Sequence, residues 1–96
     1  MGKHDELRSE IDRIDREMIK LFEQRMKITA EIAEYKRANN IPVLDRARED
    51  KVIEKNVSYL SDHSLDQYTR AFSKRLMELS RSRQHEQLED KKIKTC

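Results

Sequence analysis

Residues 5–39 contain neither glycine nor proline, and their apolar positions recur in alternating steps of four and three: Leu7, Ile11, Ile14, Met18 and Leu21. The same rhythm resumes at Ile28, Ile32 and Tyr35. Such a repeat lays one stripe along one face of a helix. It predicts a single helix from about Asp5 to Asn39, roughly 50 Å long. A compact globule of this chain length has a radius of gyration of only about 12–13 Å. The helix is therefore longer than the body the chain could fold into by itself, and its stripe needs cover along its whole length. The two shorter helices below cannot supply that cover. A second copy of the chain, with the long helices packed together, is the expected solution.

The stripe carries a discontinuity. Four residues beyond Leu21, on the seam, stands Arg25. Eleven residues further on, close to three full turns, Lys36 falls within about 20° of the same face. Inward cations need anionic partners, because an unpaired buried charge is very costly.

The 96 residues make one small domain, with 42% charged and 35% hydrophobic residues. A core this lean is often completed by oligomerisation. One Gly and one Pro leave little turn material for a β-rich fold. A net charge of +2 with interleaved signs, and no basic block or aromatic platform, gives nucleic-acid binding little support. No apolar run reaches membrane-spanning length and no signal peptide opens the chain. The one cysteine, Cys96, reads as a surface thiol, and a reducing, cytoplasmic setting follows. Residues 1–4 and 89–96 are expected to be disordered, and His4 to be merely solvated.

Asn39 and Asn40 end the first helix, since Asn tolerates the left-handed position. Pro42 keeps Ile41 extended. Asp45 reads as the N-cap of a second helix reaching about Leu60, with Val52, Ile53, Val57 and Leu60 inward and Arg48 one turn before Val52. Ser64-Leu65-Asp66-Gln67 reads as a capping box opening a third helix. Leu65, Tyr68, Phe72, Leu76 and Leu79 are its expected buried face, and Ser80 and Gln84 extend the ridge from Leu76 in steps of four. The expected class is all-α, with three helices and no second domain.

The polar groups facing the wrong way for a simple bundle are Arg25, Lys36, Arg48, Ser80 and Gln84. Asp45 and Glu49 border Arg48. The cations outnumber the acids, so a small dianion would balance the site, and guanidinium suits carboxylates because its fork donates two parallel bonds. Each residue also has a plainer reading. Arg25 could set helix register through a salt bridge, Arg48 could pair with Asp45 or with acids on the first helix, and Ser80 could bond back to its own helix. Arg81 and Arg83 read as solvated. Met18, Met26 and Met77 read as core fillers, and Tyr35 as packing.

Arg8, Arg25, Lys36, the run Ile41-Pro42-Val43-Leu44-Asp45-Arg46-Ala47-Arg48-Glu49, Ser80 and Gln84 together resemble the active-site pattern of the all-helical class of chorismate mutases. The resemblance covers about Leu7 to Leu88; the link between the second and third helices is a residue shorter than in those relatives. It implies an intertwined helical homodimer with two equivalent sites and no cofactor or metal. It implies that chorismate is rearranged to prephenate, on the route to phenylalanine and tyrosine. Arg25 would bind one carboxylate and Arg8 of the other subunit the second. Lys36 would contact a carboxylate and the ether oxygen, and Gln84 the ether oxygen. Glu49, with the backbone near Asp45, would hold the ring hydroxyl, while Arg48 and Ser80 support the carboxylate end. Two alternatives remain: an isochorismate-pyruvate lyase on the same fold, and a non-catalytic helical dimerisation module.

Overall fold

A computed structural model of the chain describes the backbone of residues 2–95 and the side chains of residues 2–89. The expectations for Met1 and for the Cys96 thiol lie outside the described residues. The described chain is all-helical: α1 (Lys3–Ala38), α2 (Arg46–Ser58) and α3 (Asp66–Thr95), with a 3-10 turn at His63–Leu65 before α3. No helix among the described residues is long and apolar enough to cross a membrane. The helical trace begins at Lys3 and runs to Thr95, beyond the ends near Asp5 and Leu88 that the sequence suggests; neither extension contains a Gly or Pro to stop it.

The end of α1 is built by its two asparagines. Asn40 takes the left-handed conformation with φ 55°. The Ile41 N–H then returns to the Lys36 carbonyl (2.8 Å) and the Asn40 N–H to that of Arg37 (3.3 Å). This paired return satisfies carbonyls that a helix end otherwise leaves without partners. Asp45 caps α2, its Oδ1 accepting from the Arg48 N–H at 3.0 Å.

The entry to α3 differs from the expected capping box. Asp62, not Ser64, is the cap: its Oδ1 accepts from the Ser64 N–H at 3.0 Å and from the Ser64 hydroxyl at 2.6 Å. The Ser64 hydroxyl is turned back to Asp62 rather than towards the N–H groups of the following turn, and the chain passes through a 3-10 turn first. An Asp side chain reaching the N–H two residues on is a common local competitor of a helix cap.

Helix α2 lies antiparallel on α3. Val57 and Met77 are buried between them, and Val52, Ile53 and Leu60 are half-buried. Asn56 Nδ2 donates to Ser73 Oγ at 2.9 Å in this layer, where Ser73 is 1% exposed. The face of α3 that turns inward is Ser73, Met77, Ser80 and Gln84. The expected face is corrected: Leu65, Tyr68 and Phe72 stand exposed. The packing of α2 against Met77 rotates α3 so that the small and polar ridge faces the helices of its own chain.

Helix α1 meets α3 only along its second half. Ala33 is fully buried there. The first half runs clear: every described residue from Gly2 to Leu21 is exposed. Leu7, Ile11, Ile14, Met18 and Leu21 form the bare stripe. Met18, expected as a core filler, is therefore uncovered in this chain, whereas Met77 is core. The outcome is an elongated body of 59 × 29 × 15 Å with a radius of gyration of 17.3 Å, well above the value of about 12–13 Å for a compact chain of this size.

One exposed pair ties α2 to α3: Arg70 donates to both Glu54 carboxylate oxygens, at 2.5 and 3.2 Å. That hydrogen bonding, and then the charge of Arg70, holds the Glu54 carboxyl below the ordinary glutamate range. Ser64 does the same for Asp62, through its hydroxyl and then its N–H. A depressed folded pKa contributes stability that is complete above the unfolded value and is lost as pH falls through the folded one. Thermal melts should therefore weaken as pH drops below about 4.3, the ordinary glutamate value. Glu54→Gln should flatten part of that acid slope and leave the part due to Asp62. The effect is small because the pair is exposed. An unchanged slope in the variant would remove the Glu54 contribution.

Candidate active site

The helix period of α1 puts Arg25, Thr29, Ile32 and Lys36 on one face, in steps of four, three and four. That face, the start of α2 and the inward ridge of α3 enclose a cavity of about 310 Å³. Val43 and Asp45 border it from the link, Arg48, Glu49 and Val52 from α2, and Met77, Ser80, Arg81 and Gln84 from α3. Every site residue expected from the sequence lines this one cavity except Arg8. Arg8 lies on the bare half of α1, seventeen residues before Arg25, about 25 Å away along the helix axis. The described chain does not bring it to the cavity.

The donors in the cavity are held by neutral oxygens. Arg25 Nη1 donates to Ser80 Oγ at 2.6 Å. Ser80 in turn donates to the Leu76 carbonyl at 3.0 Å. The plainer reading of Ser80 is realised, since it bonds back to its own helix, and its oxygen also accepts from Arg25. Lys36 Nζ donates to the Val43 carbonyl at 2.8 Å, which the sharp end of α1 folds back over Lys36. Gln84 Nε2 donates to the Thr29 carbonyl at 2.8 Å, and the side chain is buried. One turn on, Gln87 Nε2 makes the equivalent bond to the Ala30 carbonyl at 3.2 Å. These contacts stitch α3 to α1 and fix the donors without discharging the cations.

The acids are placed differently. Asp45 spends one oxygen on its capping bond. Glu49 forms an ion pair with Arg81, both side chains half-buried. Among the described ion pairs, none involves Arg25, Lys36 or Arg48. With Glu49 and Arg81 cancelling, three cations face the single carboxylate of Asp45. A surplus of two positive charges remains, in a space of small-metabolite size.

Arg81 corrects the sequence reading, which left it solvated; Arg83, by contrast, is exposed and pairs with Glu86. The signal for Arg81 was present. It stands four residues after Met77 and three before Gln84, so it borders the same helical face. Thr29 and Val43 were also missed. They act through main-chain carbonyls, which side-chain identity does not reveal.

The family model described as chorismate mutase type II matches residues 7–85. The chain is 44% identical over 50 residues to the bifunctional chorismate mutase/prephenate dehydratase of Aquifex aeolicus, an alignment covering 52% of this chain and 14% of that protein. It is 31% identical over 62 residues to the chorismate mutase of Methanocaldococcus jannaschii, covering 65% of this chain and 63% of that one. No solved structure gives a significant match. With a family match running from the first turns of α1 to the Gln84 turn of α3, the chain belongs to the type II chorismate mutase family.

Proposed function

We propose that this chain rearranges chorismate to prephenate, and that it does so by charge placement and substrate positioning. The observation that carries the reading is the state of Lys36 and Gln84. Each is fixed by one bond to a main-chain carbonyl, and each keeps further N–H donors for a ligand in the same cavity.

The reaction is a [3,3] shift. The carbon–oxygen bond of the ether breaks ahead of carbon–carbon bond formation, so negative charge grows on the ether oxygen. Lys36 and Gln84 aimed at that oxygen stabilise the transition state more than the substrate. Because their positions are set beforehand, little reorganisation accompanies the reaction. Arg25, supported by Ser80, takes one carboxylate; Arg48 adds charge at the carboxylate end. Glu49, with the backbone near Asp45, accepts from the ring hydroxyl. The cations also hold the substrate's side chain folded over its ring, an orientational contribution.

The second carboxylate is assigned to Arg8 of another copy. The support is the bare first half of α1 and the separation of Arg8 from Arg25. In a homodimer the uncovered stripes of two α1 helices bury each other, and each Arg8 enters the partner's cavity. The apolar groove lined by Leu21, Phe22, Phe72, Leu76 and Leu79, with Arg25 at its rim, continues that interface towards the site.

Chorismate consumption followed by ultraviolet absorbance tests the activity, and Lys36→Ala should lower turnover by about two to three orders of magnitude. A wild-type protein that leaves chorismate untouched, or that releases pyruvate from isochorismate instead, overturns the reading. Since an amide donates without being protonated, activity should stay flat between about pH 5 and 8, where no ordinary carboxyl titrates. Gln84→Glu should become progressively less active as pH rises through its carboxyl pKa. A steep wild-type loss across the same range would contradict the role of Gln84. For the shared site, Arg8→Ala and Arg25→Ala proteins, each inactive alone, should regain activity when unfolded and refolded together. One site of each mixed dimer is then intact, so about a quarter of wild-type activity returns if chains pair at random. No recovery, or a monomer in sedimentation, would remove the shared site.

A further inference from the structure

The ion pair between Glu49 and Arg81 sits at a boundary. Glu49, Met77 and Arg81 line the site cavity of about 310 Å³ and also a neighbouring cavity of about 280 Å³. The pair and the Met77 side chain therefore form the partition between the two. Beyond the partition lie Arg46 and Lys74; on the site side lies Arg48. Glu49 is thus a carboxylate with cations available on both sides, and one of them, Arg81, has captured it.

The capture is directional. Arg81 Nη1 donates to Glu49 Oε2, which leaves Oε1 as the acceptor. Both partners are only about a quarter exposed, at 28% for Arg81 and 24% for Glu49, so solvent screens the pair less than a surface bridge. A charged, partly buried donor that engages one oxygen restricts where the other can point.

We propose that Arg81 is a positioning residue for the reaction. It holds the Glu49 carboxylate against the partition so that Oε1 accepts from the ring hydroxyl of the substrate, and it thereby sets the preference for a hydroxyl-bearing ring. This rests on the chorismate reading above. Without Arg81, Glu49 is released to Arg48 inside the cavity or to Arg46 and Lys74 outside it, and the ring hydroxyl loses a fixed acceptor.

The test compares chorismate with its analogue lacking the ring hydroxyl, each rate divided by the spontaneous rate of the same compound. In wild type, kcat/KM should favour chorismate. In Arg81→Ala that preference should fall about tenfold, the scale of one lost hydrogen bond to a charged group. Arg81→Lys should recover part of it, since an ammonium can still engage Glu49. In a Glu49→Ala background, adding Arg81→Ala should leave the preference where Glu49→Ala alone put it. Circular dichroism melts confirm that each variant is folded. An Arg81→Ala protein that loses activity equally on both compounds has suffered a structural defect, and the proposal fails. It fails equally if the preference is unchanged. A wild-type protein inert towards chorismate would instead remove the proposed function itself, so the two failures are distinct.

Discussion

The site depends on cations that are tethered without being neutralised. A lysine or arginine turned into a protein interior normally meets a carboxylate, and the pair then has no net charge left for a ligand. Here the partners are a serine hydroxyl for Arg25 and a main-chain carbonyl for Lys36. A neutral oxygen removes rotamer freedom while leaving the charge in place. Of the two carboxylates that line the cavity, Glu49 is held by Arg81 and Asp45 spends an oxygen on capping α2. Charge bookkeeping and geometry are thus solved by the same contacts, which is why three helices with little buried apolar surface suffice to build the cavity.

These contacts are also a large share of what joins α1 to α3. The bonds from Gln84 and Gln87 to Thr29 and Ala30, and from Arg25 to Ser80, all lie in the second half of α1. The described chain buries only Ala33, Val57 and Met77 among its apolar residues. A core of that size supplies little stability, and the exposed stripe of α1 represents hydrophobic burial not yet collected. Folding and completion of the site are coupled in the proposed dimer for this reason: the surface that would stabilise the chain is the one that carries Arg8.

Much of this was legible in the sequence because helix period converts spacing into facing. The stripe from Leu7 to Tyr35, free of glycine and proline, required a long first helix, and Arg25 and Lys36 on its seam both line the candidate cavity. The asparagine end of α1 and the Asp45 cap follow from local backbone chemistry and appear as expected. What failed was non-local. The rotation of α3 is set by its packing on α2, so Phe72 and Tyr68 faced outward while Ser73 took the interior. The exception was local: Ser64 lost its capping role to Asp62, two residues earlier. Arg81 was hidden because a long cation beside an inward ridge looks solvated until its acid, thirty-two positions away in sequence, is placed opposite it.

Ala33 has a consequence of its own. It lies one turn beyond Thr29 and Ala30, the residues whose carbonyls α3 grips, and it has no accessible surface at all. A single methyl group therefore sits where the packing around α1 leaves no room for more. Any bulkier side chain would push on its neighbours there and loosen the cross-helix tethers, that of Gln84 included. The smallest side chain in the seam thus sets the tolerance to which the charged ones are held.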